Sequence, residues 1–316
     1  MNEKTTNNVN KKSRKGIILT IIFAVVTPTI GGIGAGIVIN KFFIGKSTNY
    51  DSINSDDLVD NTVAQTLNKY QAIVDSGEEV DYGNYFKAYE IFTIGYDLFT
   101  RAENNMSFTV GMTDAGIVQQ SIRGSSIKNG NLYFEESISK SSMVSLANRT
   151  YVLENDSINL YRGEALDKSL SKYKPEHYEY TLEEYAEEFG KTPKSPLIYI
   201  VNKSTVLAKT SSVTKNEDGS YTVKTSLNPV TGVYNYVKQM KNISNLGDYP
   251  SFDYVNLTLT TDENLLVKKL HIDEGYYAKM GAVGSDLTAK IDIAYYVNTD
   301  QKIPTINQLL AYPEEL

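Results

Sequence analysis

The chain is predicted to fold as an α+β domain built on a curved antiparallel sheet, carried at its N-terminus by a membrane-spanning helix. Three observations predict this. Residues 16–39 are apolar and carry no charge. From residue 106 onward, apolar and polar residues alternate with a period of two, the spacing of a strand with one buried and one solvated face. Segments with helical spacing precede, interrupt and divide these strands rather than alternating with them one by one, which favours helices grouped on one side of an antiparallel sheet.

Taken in order, residues 1–15 are polar and basic, with Lys11, Lys12, Arg14 and Lys15 abutting the apolar run. At about 1.5 Å per residue the run crosses a hydrocarbon core of about 30 Å, and the excess of Lys and Arg before it keeps that end cytoplasmic. A cleaved signal would have a shorter apolar core of about 7–15 residues and a small-x-small exit; here the exit is Ile39-Asn40-Lys41-Phe42-Phe43. The chain has no cysteine, so a lipidated cysteine anchor is excluded. Gly32 and Gly36 form a G-x-x-x-G pair that would let two such helices pack as a dimer. The expectation is a single-pass cell-membrane protein with residues 40–57 as a linker and 58–316 as an extracytoplasmic domain.

Within that domain, helical spacing covers residues 58–75 and then 83–103, the second more apolar through Phe86, Tyr89, Ile91, Ile94, Leu98 and Phe99. Alternating segments follow at 107–112, 116–127, 131–138, 143–146, 149–153 and 157–161, separated by turn pairs such as Asn129-Gly130, as in a meander. Thr181 to Glu184 spells a capping box and Gly190 a helix stop. Short apolar segments at Leu197–Val201 and Val233–Met240 read as helical, the latter led by Asn228-Pro229. A hairpin of 206–214 and 220–227 turns across Asn216–Gly219. Strands at 253–261, 265–279 and 285–297 and a short polar tail complete the chain.

Composition narrows function by exclusion. The net charge is −7 even with the basic N-terminal arm included, which repels nucleic-acid phosphates. Zero cysteines exclude thiol chemistry and thiolate metal sites. The two histidines, His177 and His271, stand far apart in different elements and match neither a metal spacing nor a nucleophile–base pair. The run Glu183, Glu184, Glu187 and Glu188 reads as a solvated helix face, and the absence of Trp removes the usual sugar-stacking platforms. Asn216–Gly219 and Asp273–Gly275 look like fragments of calcium loops, but neither continues with alternating ligands, so both read as turns. Neither a catalytic set nor a cofactor is expected.

The order of elements over residues 83–300, with the strand texture of Asn131–Phe134, Ser195–Tyr199 and Leu270–Asp273, resembles the LolA-like family and the related mycobacterial lipid-carrier lipoproteins. That resemblance implies an incomplete barrel wrapped around helices, with an apolar cavity. Phe108, Val110, Ile122, Tyr133, Phe134, Leu257, Leu259, Leu270 and Ile272 are the expected cavity liners, with tyrosine hydroxyls at the mouth. Family members are soluble or lipid-anchored, whereas this chain has a peptide anchor, which favours a fixed binding or relay role over a shuttle. The expected partner is a membrane lipid or another apolar envelope molecule. The alternative is a structural or sensory ectodomain that contacts a cell-envelope protein or the cell wall.

Overall fold

The computed structural model describes residues 49–303 apart from 116–118, 142–144, 154–156, 166–175, 193–194, 196, 245, 247, 281–282 and 301. The apolar run 16–39, with Gly32 and Gly36, lies outside the described residues. Among the described ones, no helix is long and apolar enough to cross a membrane.

Among the described residues, eleven strands form one antiparallel sheet: β1 (Asn104–Asp114), β2 (Gln119–Asn129), β3 (Leu132–Ser141), β4 (Ser145–Leu153), β5 (Ser157–Ala165), β6 (Glu176–Tyr180), β7 (Ser212–Lys215), β8 (Tyr221–Ser226), β9 (Ser251–Thr261), β10 (Val267–Met280) and β11 (Val283–Val297). Their spatial order is β6-β5-β4-β3-β2-β1-β11-β10-β9-β8-β7. The first and last strands therefore meet in the middle, in register from Asn105 opposite Val297 to Asp114 opposite Thr288, and two meanders run outward from that seam. The sheet is not closed into a barrel; β6 and β7 are its edges.

The helices are α1 (Val63–Ser76), α2 (Tyr82–Tyr85), α3 (Ala88–Arg101), α4 (Leu182–Phe189) and α5 (Tyr234–Ser244). α3 packs on β8, β10 and β11, whereas α4 packs on β5 and β6 and also against α5. Tyr236 of α5 reaches Glu274 of β10. In a flat sheet β5 and β10 would lie about 29 Å apart, six spacings of about 4.8 Å, yet helices seated over them touch at an ordinary interhelical distance of about 8–10 Å. The sheet must therefore curl toward the helices, and the helix-bearing face is the concave one.

Local chemistry explains the ends of these helices. Thr181 and Glu184 form the expected capping box, with the Thr181 N–H donating to Glu184 Oε2 at 2.8 Å and the Glu184 N–H donating to Thr181 Oγ1 at 3.2 Å. Gly190 ends α4 at φ +68°, and a Cβ there would lie 2.5 Å from the Asn235 carbonyl oxygen of α5. Glycine permits both the left-handed turn and the close approach of the two helices. Gly190→Ala is expected to cost on the order of 2 kcal/mol, read as a lowered urea midpoint with an unchanged m-value.

Several expectations change. The segment 83–103 is two helices, because Phe86 and Lys87 are extended between α2 and α3, letting Phe86 turn into the core beside Tyr70 and Tyr82. Leu197–Val201 is not helical; its backbone is tied across the chain by the Ile200 N–H donating to the Gly232 carbonyl. Asn228 accepts from the N–H groups of Val230 and Thr231 and so caps a run of turns over residues 229–233 that leads straight into α5, whose helix proper starts at Tyr234. Residues 145–146 of the segment expected at 143–146 and the segment 149–153 belong to one strand, β4, residues 143–144 lying outside the described residues, and β6 is a strand that the alternation at 176–180 is too short to announce. Asn216–Gly219 is a turn as expected, but Asp273–Gly275 is not: it lies inside β10, paired on both sides.

Candidate binding site on the concave face

The register of the central strands sets side chains into transverse rows on the concave face. One row reads Val223, Leu259, Leu270, Ile293, Thr109, Gly124 and Ser137 across β8, β9, β10, β11, β1, β2 and β3. The next reads Leu257, Ile272, Ile291, Gly111 and Ile122. Another, two residues beyond the first in the opposite direction, reads Tyr295, Ser107, Ser126 and Glu135. Side-chain bulk falls along each row where β11 gives way to β1. The β8–β11 half is a solid core, filled from above by Ile91, Phe92 and Ile94 of α3 and Val237 and Met240 of α5, none more than 1% exposed. The β1–β3 half presents mainly glycine, serine and threonine inward, and these too are shielded: Thr109 is 0% and Ser137 2% exposed.

The two halves have different lids. α3 sits on β8, β10 and β11, and its last carbonyls are closed by β1 and β2: Asn105 Nδ2 donates to Phe99 O at 2.8 Å, and Lys128 Nζ donates to Thr100 O and Ala102 O at 2.7 and 2.9 Å. On the far side, α4 covers β5 and β6, and Lys191, directly after its glycine stop, reaches back to β3. Its Nζ lies 2.7 Å from Glu135 Oε1, both side chains being almost fully buried. Phe189 O at the end of α4 accepts from Gln239 Nε2 of α5 at 2.7 Å. Helices thus stand at both sides of β1–β4, pinned there by buried polar contacts.

At the border of the filled half lies a buried acid that the sequence reading assigned to a turn. Glu274 is 0% exposed and points inward from β10. The hydroxyls of Tyr199 and Tyr236 both donate to its carboxyl group, the latter at 3.3 Å. Tyr276, two residues on, stacks on Phe252 at 4.9 Å. Burial pushes the Glu274 carboxyl up to about 7, partly opposed by the two hydroxyl donors and aided by the nearby charge of Asp273. Burial and the same carboxyl hold the Tyr199, Tyr236 and Tyr276 hydroxyls well above the ordinary phenol value, so they remain donors across the biological range. Sealed under aromatic rings, Glu274 is out of reach of a substrate.

Of the expected liners, Ile122, Tyr133, Leu257, Leu259, Leu270 and Ile272 are on the concave face, and the last four belong to its solid half at 0–1% exposure. Phe108, Val110 and Phe134 point from the opposite, convex face. Phe108 and Val110 are 43% and 40% exposed, while Phe134 packs there with Ile127. The structure therefore does not bring the nine together. The positions that sequence reasoning missed are the small ones, Ser107, Thr109, Gly124 and Ser137, and the only signal for them was that β1 and β2 alternate with threonine, serine and glycine at one parity.

Among the described residues, no cluster of three or more His, Asp or Glu could hold a metal. His271 Nδ1 lies 3.1 Å from Asp292 Oδ1 on the convex face, and His177 meets Asn159 at 2.8 Å. Two open clefts lie away from the rows. One, ≈ 710 Å³, is lined by Glu179, Glu184, Glu187, Glu188 and Lys241; the other, ≈ 540 Å³, runs between α2 and the edge strand β7.

No protein-family model and no curated protein matches the chain. Two solved structures are similar to it. The crystal structure of LprF from Mycobacterium bovis is 12% identical, covers 69% of this chain and 96% of that one, and superposes with a TM-score of 0.35. A DUF1329 family protein from Desulfovibrio piger ATCC 29098 is 10% identical, covers 68% and 93%, and gives a TM-score of 0.27. Both likenesses concern fold alone, and function has to be argued from the chain's own side chains.

Proposed function

We propose that the chain binds an apolar or amphiphilic molecule of the cell envelope, a membrane lipid, within the small-residue half of the concave face, acting as a binding protein rather than an enzyme. The supporting observation is the drop in side-chain bulk across each transverse row, from Leu270 and Ile293 to Thr109, Gly124 and Ser137, on a face shielded from solvent. A curved sheet that carried bulky residues throughout would fill its own interior with its own side chains; one that carries small residues on one side depends on what packs over them, and that is the place an acyl chain would take on binding. Burial of a chain there contributes about 0.8 kcal/mol per methylene, and the neighbouring threonine and serine hydroxyls can orient a polar end. The apolar run 16–39 would hold this domain at the outer surface of a cell membrane, where such ligands are at hand.

The test is to fill the space. In the full chain, Thr109→Leu with Ser137→Leu is expected to weaken the binding of a fluorescent acyl-chain probe at least tenfold, since occupying the room of even two methylenes removes more than 1.4 kcal/mol. Phe108→Ser with Val110→Ser, on the convex face, is expected to leave probe binding unchanged. Equal weakening by both pairs, or by neither, would contradict the proposal.

A further inference from the structure

The small-residue half of the concave face holds a charged group that lipid binding alone leaves without a role. Glu135 of β3 stands in the row Tyr295, Ser107, Ser126 and Glu135 and is 5% exposed. Lys191 holds one of its carboxylate oxygens, with Nζ 2.7 Å from Oε1. The other oxygen, Oε2, is shut off from solvent and has no hydrogen-bond partner in the protein. Buried polar groups are ordinarily satisfied, and a charged acceptor left without a donor is the costlier kind of exception. Its position is apt. Ser137 lies two residues further along β3, about 7 Å away, and Gly124 and Thr109 follow Ser137 across β2 and β1. A chain laid over those small residues would bring its end to Oε2.

We propose that Glu135 Oε2 accepts a hydrogen bond from the polar end of the ligand, which makes that ligand an uncharged lipid bearing a hydroxyl group. This rests on the lipid-binding reading above and names the chemistry that the site selects. Charge decides among the possible ends. The Glu135–Lys191 pair is neutral as a unit. A carboxylate or phosphate brings no donor to Oε2 and meets it as a like charge. An ammonium supplies donors but sets a second cation beside Lys191, with one carboxylate to balance both in a buried site. Ester, ether and hydrocarbon ends leave Oε2 unsatisfied. A hydroxyl donates to it and adds no charge, and hydrogen bonds to an ionised acceptor are the strong ones.

The test is displacement of a fluorescent acyl-chain probe from the full chain by three competitors: a long-chain alcohol, its methyl ether, and the fatty acid of the same chain length. The parent chain is expected to bind the alcohol at least tenfold more tightly than the ether, about 1.4 kcal/mol, although the ether is the more apolar. Lys191→Met with Glu135→Leu is expected to lose that preference, the ratio of alcohol to ether affinity falling at least tenfold. Equal binding of alcohol and ether by the parent would overturn the inference, whatever the variant does. So would a ratio that the double variant keeps, which would assign the hydroxyl to another group, or tightest binding of the fatty acid, which would make Lys191 the recognition group. A parent chain that binds the probe but ignores the hydroxyl overturns this inference alone; one that binds no probe overturns the lipid-binding reading and this inference with it.

Discussion

Glu274→Gln is expected to match the parent chain in stability near pH 5 and to exceed it above pH 7 by on the order of 3 kcal/mol. The sign follows from the raised carboxyl. With a folded-state value of about 7 against 4.5 when unfolded, the folded chain holds this proton more tightly than the unfolded chain does. Between those values folding takes up a proton, so stability falls as pH rises through the window and levels off once the folded carboxyl has ionised. At about 1.4 kcal/mol per pH unit, the loss accumulates to the figure given. Glutamine removes the titration while its amide oxygen still accepts from one of the two tyrosines and its NH2 faces the other, whose hydroxyl oxygen can turn to accept. Urea melts of both proteins at pH 5 and pH 8 measure it. A variant weaker than the parent at both pH values would show instead that Glu274 is held as a carboxylate, stabilised by its two hydroxyl donors.

Lys191→Met is expected to destabilise the fold by about 3–5 kcal/mol, the usual cost of leaving one member of a buried ion pair alone. The pair Lys191–Glu135 is buried on both sides, and losing the lysine strands a carboxylate inside β3. The double variant Lys191→Met with Glu135→Leu is expected to recover most of that loss, because well-packed apolar replacements of a buried pair are near neutral. The double-mutant cycle from denaturant melts gives the coupling. Because this contact ties the end of α4 to β3, the single variant should also loosen the concave half that β1–β4 form. If the single variant lost less than about 1 kcal/mol, the pair would be solvated rather than buried.

Much of this fold is legible in the sequence because its signals are local. The alternation from residue 106, the capping box at Thr181, the glycine stop at Gly190 and the turn at Asn216–Gly219 each arise within a few residues, and each is where the sequence places it. The pairing of β1 with β11 is not legible, since it joins segments nearly two hundred residues apart and nothing local specifies it. The same limit explains the mixed list of liners. Period-two alternation separates two faces but does not say which is inward. In β10, Leu270 and Ile272 point in, as a core strand requires; in β1 the apolar parity of Phe108, Val110 and Met112 points out, and Thr109 and Thr113 point in. That inversion places small residues on the concave face, and only the register with Ile293 and Gly124 reveals it. Asp273–Gly275 differs for a related reason: the composition of a turn is stronger locally than the long strand around it, so the acid at its centre reads as part of a turn.

The central claim is that the small-residue half of the concave face holds a lipid. Its most direct measurement is organic extraction and mass spectrometry of the full-length chain purified from membranes, beside the Thr109→Leu, Ser137→Leu variant purified in the same way. The account predicts a lipid that co-purifies in near-stoichiometric amount with the parent chain and is absent from the filled variant. A parent chain that carries no lipid, or a filled variant that carries as much as the parent, would contradict it.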